Sequence, residues 1–162
     1  MLGSLKTLVA ALVGKTEQLD RFEDNDCRLA IAALLIRAAT IDDAMSDARR
    51  DKLRAVLKSH FGLNDAATAG LIEKGAEADR EAVDLYHFTR RISASLDDEG
   101  RRRIVEMMWE IIYADGAVSG SEDNIVWRVA DLLAVSSRQR IELRRRVAAE
   151  RAFQARDCAA PA

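Results

Sequence analysis

Hydrophobic positions recur with a helical period along nearly the whole chain, and the strict alternation that marks a half-buried strand is almost absent. Leu5, Leu8, Val9 and Leu12 share one face of a short amphipathic helix predicted over residues 3–14, followed by a polar connector to about residue 26. The run Leu29-Ala30-Ile31-Ala32-Ala33-Leu34-Leu35-Ile36 is apolar on every side, so a helix near 29–41 should be central and buried. A second helix of this kind is predicted at 99–114, with Ile104, Val105, Met107, Met108, Trp109, Ile111 and Ile112. Further helices are predicted at 47–61, 65–76 and 79–95 between the two, and at 120–134 and 137–156 after them. The expectation is an all-α protein of seven to eight helices, more than about 60% helical, without a sheet. The two central helices should pack on each other, and their single interior charges, Arg37 and Glu110, are expected to pair.

Polar residues at the helix starts sharpen this picture. Ser119 and Glu122 have the spacing of a capping box ahead of Ile125, Val126 and Val129. Asn64 or Asp65, Asp97, and Ser136 or Ser137 each follow an apolar residue, as in a stapled helix start. The only proline, Pro161, lies beyond every predicted helix.

Sliding the chain against itself by 73 residues brings Ile31 onto Ile104, Asp42 onto Asp115, Ala44 onto Ala117, Ser46 onto Ser119 and Val56 onto Val129. The caps at Asn64 and Ser137 also coincide in this register. The clustering of these identities at one turn predicts a duplicated three-helix unit, and hence two pseudo-symmetric halves packed face to face. Each turn, at 40–46 and 113–119, sets an Asp just past a buried helix, where exposed carbonyls favour a cation instead. Two forms of compensation are open. The carboxylate can accept N–H groups at the start of the next helix, which for Asp115 means those around Gly116 to Ser119. Alternatively a cation can bind, with Asp42, Asp43, Asp115, Glu122 and Asp123 as candidate oxygen ligands. The loop spacing of an EF-hand is absent.

Composition narrows the function classes. Alanine occurs 28 times and aromatics make up 5% of the chain, the balance of a helical protein. The net charge of −2 sums 25 basic and 27 acidic side chains, so there is no global footprint for nucleic acid. The arginine runs at 90–91, 101–103 and 144–146 sit beside acidic residues and read as salt-bridged helix faces. Cys27 and Cys158 have neither disulfide nor zinc spacing, which favours a reducing, cytoplasmic location. No stretch is long enough for a transmembrane segment, and peripheral membrane association stays open. His60 and His87 lack a positioned nucleophile or third partner, so catalytic residues are not expected. Tyr86, Phe88, Trp109, Tyr113 and Trp127 should pack the core, and an exposed one would mark a partner surface.

The pattern Ala-Asp-Gly-x-Val-Ser-x-x-Glu at 114–122, preceded by Met107-Met108-Trp109-Glu110-Ile111-Ile112-Tyr113, resembles the TerB-like tellurite-resistance family. The segments 84–90 and 128–133 are similar to the same branch, and the resemblance spans about residues 26–150. It implies one TerB-like domain over 26–150, flanked by an N-terminal helix and connector at 1–25 and a helix end with a tail at 151–162. It also implies a non-enzymatic, cytoplasmic stress-response module that binds partner proteins and a divalent cation; a structural adaptor without metal or ligand is the alternative. By position, Asp115 and Glu122 match the second acidic motif and Asp42 the first. The first turn departs from the family in two places: Asp43 stands where a glycine is usual, and Arg49 where a glutamate belongs. The cation site would then rest on Asp42, Asp43, Asp115 and Glu122, unless Arg49 neutralises these carboxylates from within.

Overall fold

The computed structural model describes residues 27–42, 44–116 and 118–159; the amphipathic segment at 3–14 and Asp43 lie outside the described residues. The helices are α1 (Cys27–Thr40), α2 (Asp47–Phe61), α3 (Asp65–Glu81), α4 (Tyr86–Ser95), α5 (Asp98–Ile112), α6 (Gly120–Leu132) and α7 (Ser137–Ala159), with a 3-10 turn at Tyr113–Asp115 after α5. About 84% of the described residues are helical and none is in a strand, as the periodicity predicts.

The two apolar runs form the core. In α1 every residue from Leu29 to Ile36 is buried, with Ala38 and Ala39, and α5 buries Ile104, Val105, Met107, Met108, Trp109, Ile111 and Ile112. The two helices touch, but α1 packs most extensively on α3. Alanines on α1 let α3 come close. A Cβ built on Gly75 would lie 3.0 Å from Ala32 Cβ, 3.1 Å from Ile36 Cδ1 and 3.2 Å from the backbone nitrogen of Ala33.

The expected pairing of Arg37 with Glu110 does not form. Arg37 reaches Asp79 on α3, with Nε 2.5 Å from Oδ1 and Nη2 donating to the Asp79 carbonyl at 3.0 Å. Glu110 accepts from Arg103 on its own helix at 2.6 Å. Each charge has a nearer partner at the edge of the core, so neither crosses it.

The caps resolve to Asn64, Asp97, Ser119 and Ser136. Asn64 Oδ1 accepts Ala67 N–H at 2.8 Å, and Asp97 Oδ1 accepts Gly100 N–H at 2.9 Å. Ser136 and Gln139 exchange bonds, with Gln139 N–H donating to Ser136 Oγ at 3.2 Å and Ser136 N–H to Gln139 Oε1 at 3.0 Å. The boundary expected at 77–78 falls instead at 82–85. Glu77 and Ala78 are good helix formers and carry α3 onward; the chain breaks where Asp84 Oδ1 accepts His87 N–H at 3.2 Å and starts α4. The repeat register also slips at this level. The caps that follow α2 and α6 are Asn64 and Ser136, which are 72 positions apart. The cap-to-cap span is therefore one residue shorter from Ser119 to Ser136 than from Ser46 to Asn64.

α6 ends in a Schellman arrangement, with Val135 N–H donating to Ala130 O at 2.8 Å. The left-handed residue of that turn is Ala134, at φ 56°, whereas α2 ends on Gly62 in the same conformation. The Cβ of Ala134 pays a steric penalty that glycine avoids. Replacing Ala134 by glycine is expected to stabilise the fold by about 0.5–1 kcal/mol, less than the full steric gain because glycine also frees the unfolded chain. An unchanged or lowered chemical-denaturation midpoint would contradict this.

Candidate functional site: the paired acidic turns

The turns that follow α1 and α5 lie side by side, and their equivalent residues bond crosswise. Ser119 Oγ donates to Asp42 Oδ2 in a short hydrogen bond. Ser46 Oγ donates to Asp115 Oδ2 at 3.4 Å. Each turn thus lends its Asp to the serine that caps the other turn's helix.

The turns differ in charge sign at the third residue of each following helix. In α6 this position is Glu122, which completes the capping box: Ser119 N–H donates to Glu122 Oε2 at 2.9 Å, and Glu122 N–H to Ser119 Oγ at 3.1 Å. In α2 the same position is Arg49. Its N–H still donates to Ser46 Oγ at 3.2 Å, but a guanidinium has no acceptor to offer the Ser46 N–H. Arg49 crosses to the other turn instead.

There it serves three sets of acceptors. Nη2 stands 2.6 Å from Glu122 Oε1 and donates to Asp115 Oδ1 at 3.2 Å. Nη1 donates to the Ala39 carbonyl at 3.3 Å and Nη2 to the Ile112 carbonyl at 3.2 Å. These carbonyls belong to the last turns of α1 and α5, where backbone acceptors lack intrahelical donors and favour positive charge. Nε stands 2.9 Å from Asp115 Oδ2 without an acceptor in line with its N–H, so that contact is Coulombic. Arg49 is 8% exposed and Glu122 3%, whereas Asp42 is exposed.

Arg49 therefore supplies the cation that the C-terminal carboxylates call for. Among the described residues the hydrogen bonds to the Asp115 carboxylate come from Ser46 and Arg49, while Gly116 N–H donates to the Tyr113 carbonyl and Ser119 N–H to Glu122. Asp115 and Glu122 meet on Arg49, Asp42 bonds Ser119 across the turns, and Asp123 is drawn off to Arg144 at 2.7 Å. Among the described residues no three histidine, cysteine or carboxylate side chains form a group able to hold a metal ion. As arranged, the donor set does not fit a divalent cation, since a guanidinium already bonds two of its carboxylates.

The second turn is braced from behind. Arg144 of α7 donates from Nε to Tyr113 Oη at 3.0 Å and lies 5.1 Å from the centroid of the Trp109 ring. His60 and His87 are exposed, each edge-on to the adjoining phenylalanine. Partial burial and then the charge of Arg103 lower the His60 pKa below its usual range. The arginine runs are partly ion-paired: Arg101 with Asp98, Arg103 with Glu106 and Glu110, Arg146 with Glu106. Of the aromatics, Phe88 and Trp109 are core residues and Tyr113 is half-buried, but Tyr86 is 58% and Trp127 48% exposed. Both cysteines are free.

The described residues thus form an all-helical scaffold closed by two turns that bond each other crosswise. Residues 28–145 match the family model for tellurite resistance protein TerB, and the chain belongs to that family. No curated protein and no solved structure matches it. No helix among the described residues is long and apolar enough to cross a membrane.

Proposed function

We propose that the protein acts without catalysis, as a cytoplasmic adaptor of the TerB type that holds partner proteins during a stress response. In this reading the acidic turns belong to the scaffold, and partners dock elsewhere. The observation that carries it is an open groove of about 910 Å³ where the start of α1 meets the α3–α4 corner. Phe88 and Leu29 lie in its apolar floor, and Val83 and Tyr86 stand at its edge 96% and 58% exposed. Exposed apolar side chains over a groove are the usual mark of a docking face. Arg90 and Arg91 line one side without an ion-pair partner among the described residues. The fitting occupant is an amphipathic helix of a partner, with an acidic residue beside its apolar stripe.

The test is affinity capture from the native organism with the wild type and with Val83→Asp. Val83 makes little contact with the fold, so the variant should melt like the wild type yet lose about tenfold or more of the captured partner, as expected when a charge enters an apolar contact. Equal capture by both proteins would remove the groove as the docking face.

A further inference from the structure

We propose that Arg49 is a resident replacement for a divalent cation, so that the paired turns are locked permanently in the state a bound metal would otherwise give. The argument uses this chain's own repeat. Position 49 is equivalent to position 122, which is glutamate, just as Asp42 is equivalent to Asp115 and Ser46 to Ser119. Had the first turn kept the residue of the second, four carboxylates would converge on the ends of α1 and α5. Such a cluster calls for a cation. Exchanging a glutamate for an arginine changes the local charge by two units, the same change that binding one divalent ion makes.

Geometry agrees with the charge count. The guanidinium lies among Asp115, Glu122 and the Ala39 and Ile112 carbonyls, a set made only of oxygen acceptors. With a carboxylate from position 49, the oxygens of Asp115, Glu122 and the two carbonyls would reach the six or more hard ligands that calcium takes. Magnesium demands stricter octahedral geometry and is the poorer match. The remaining net charge of the cluster is the same in both versions, so the surrounding scaffold needs no other adjustment.

The experiment follows thermal melting by circular dichroism for wild type, Arg49→Glu and Arg49→Gln, each with excess EDTA and with calcium, and with sodium at matched ionic strength. The wild type should melt identically in all three. Arg49→Glu should melt far lower in EDTA, or lack helix altogether. Calcium should then restore helix and raise the melting temperature by about 5–10 °C once it exceeds its dissociation constant a hundredfold. Arg49→Gln, which keeps three carboxylates and no guanidinium, should show a smaller calcium shift. Calcium stabilisation of the wild type would overturn the proposal. So would equal rescue of Arg49→Glu by sodium, which would mark simple charge screening. If calcium rescues neither variant, the oxygen set does not accept a cation and the proposal fails.

Discussion

Replacing Arg49 by alanine is expected to destabilise the fold by about 3–5 kcal/mol, the range for breaking a buried ion pair from one side. The loss is large because the partners stay behind. Glu122 is 3% exposed and would be left with only the Ser119 N–H as a partner. The Ala39 and Ile112 carbonyls would lose their side-chain donor at the same moment. For a chain of this size the melting temperature should fall by about 10–15 °C. Glu122→Gln alone should cost less, since the amide retains an acceptor for one neighbour. The double variant should then be less unstable than the sum of the singles, because removing Arg49 matters most when a charge is left to face its absence. Strict additivity, or a loss below about 1 kcal/mol for Arg49→Ala, would mean that the guanidinium contributes no more than a surface ion pair.

The second large effect should come from Gly75. Valine there is expected to cost about 2–3 kcal/mol through overpacking. The nearest atoms to an added Cβ include the backbone nitrogen of Ala33 at 3.2 Å, which cannot swing away as a side chain does. The two further methyl groups of valine would force α1 and α3 apart along their main contact. Gly70 lies on the same helix with nothing within 4 Å of an added Cβ. Gly70→Ala should therefore stabilise the protein by up to about 1 kcal/mol through helix propensity alone. Opposite signs for two glycines five residues apart would show that close helix approach, not propensity, decides at Gly75. Denaturant midpoints of the two variants measure this directly.

Much of the fold was legible because the strongest signals here are local. The apolar runs at 29–36 and 104–112 identify the buried helices, and serine, asparagine and aspartate before them mark where the chain turns. What failed depended on spatial neighbours. Arg37 and Glu110 occupy matching places in sequence, but periodicity cannot say that α3 brings Asp79 to Arg37 or that Arg103 lies within reach of Glu110. The break between α3 and α4 was misplaced because no glycine or proline marks either boundary. At the acidic turns, the position of a carboxylate against a helix end called for compensation, whether from N–H groups of the next helix or from a positive charge. The source of that charge was also visible, as an arginine where the repeat has glutamate. Its double reach, to the opposite capping box and to the ends of both central helices, depends on the crossing of the turns and could be seen only in three dimensions.

That crossing gives the two turns a polarity, like plug and socket. An arginine offered by one is received by a glutamate of the other, so the first turn recognises the second and repels its own kind. Two chains meeting first turn to first turn would set guanidinium against guanidinium, and second to second would bury carboxylate against carboxylate, each a costly mismatch. A duplicated chain with identical turns has no such discrimination and can pair like with like between molecules. Arg49 beside the first turn and Glu122 beside the second mark which parts of one molecule belong together.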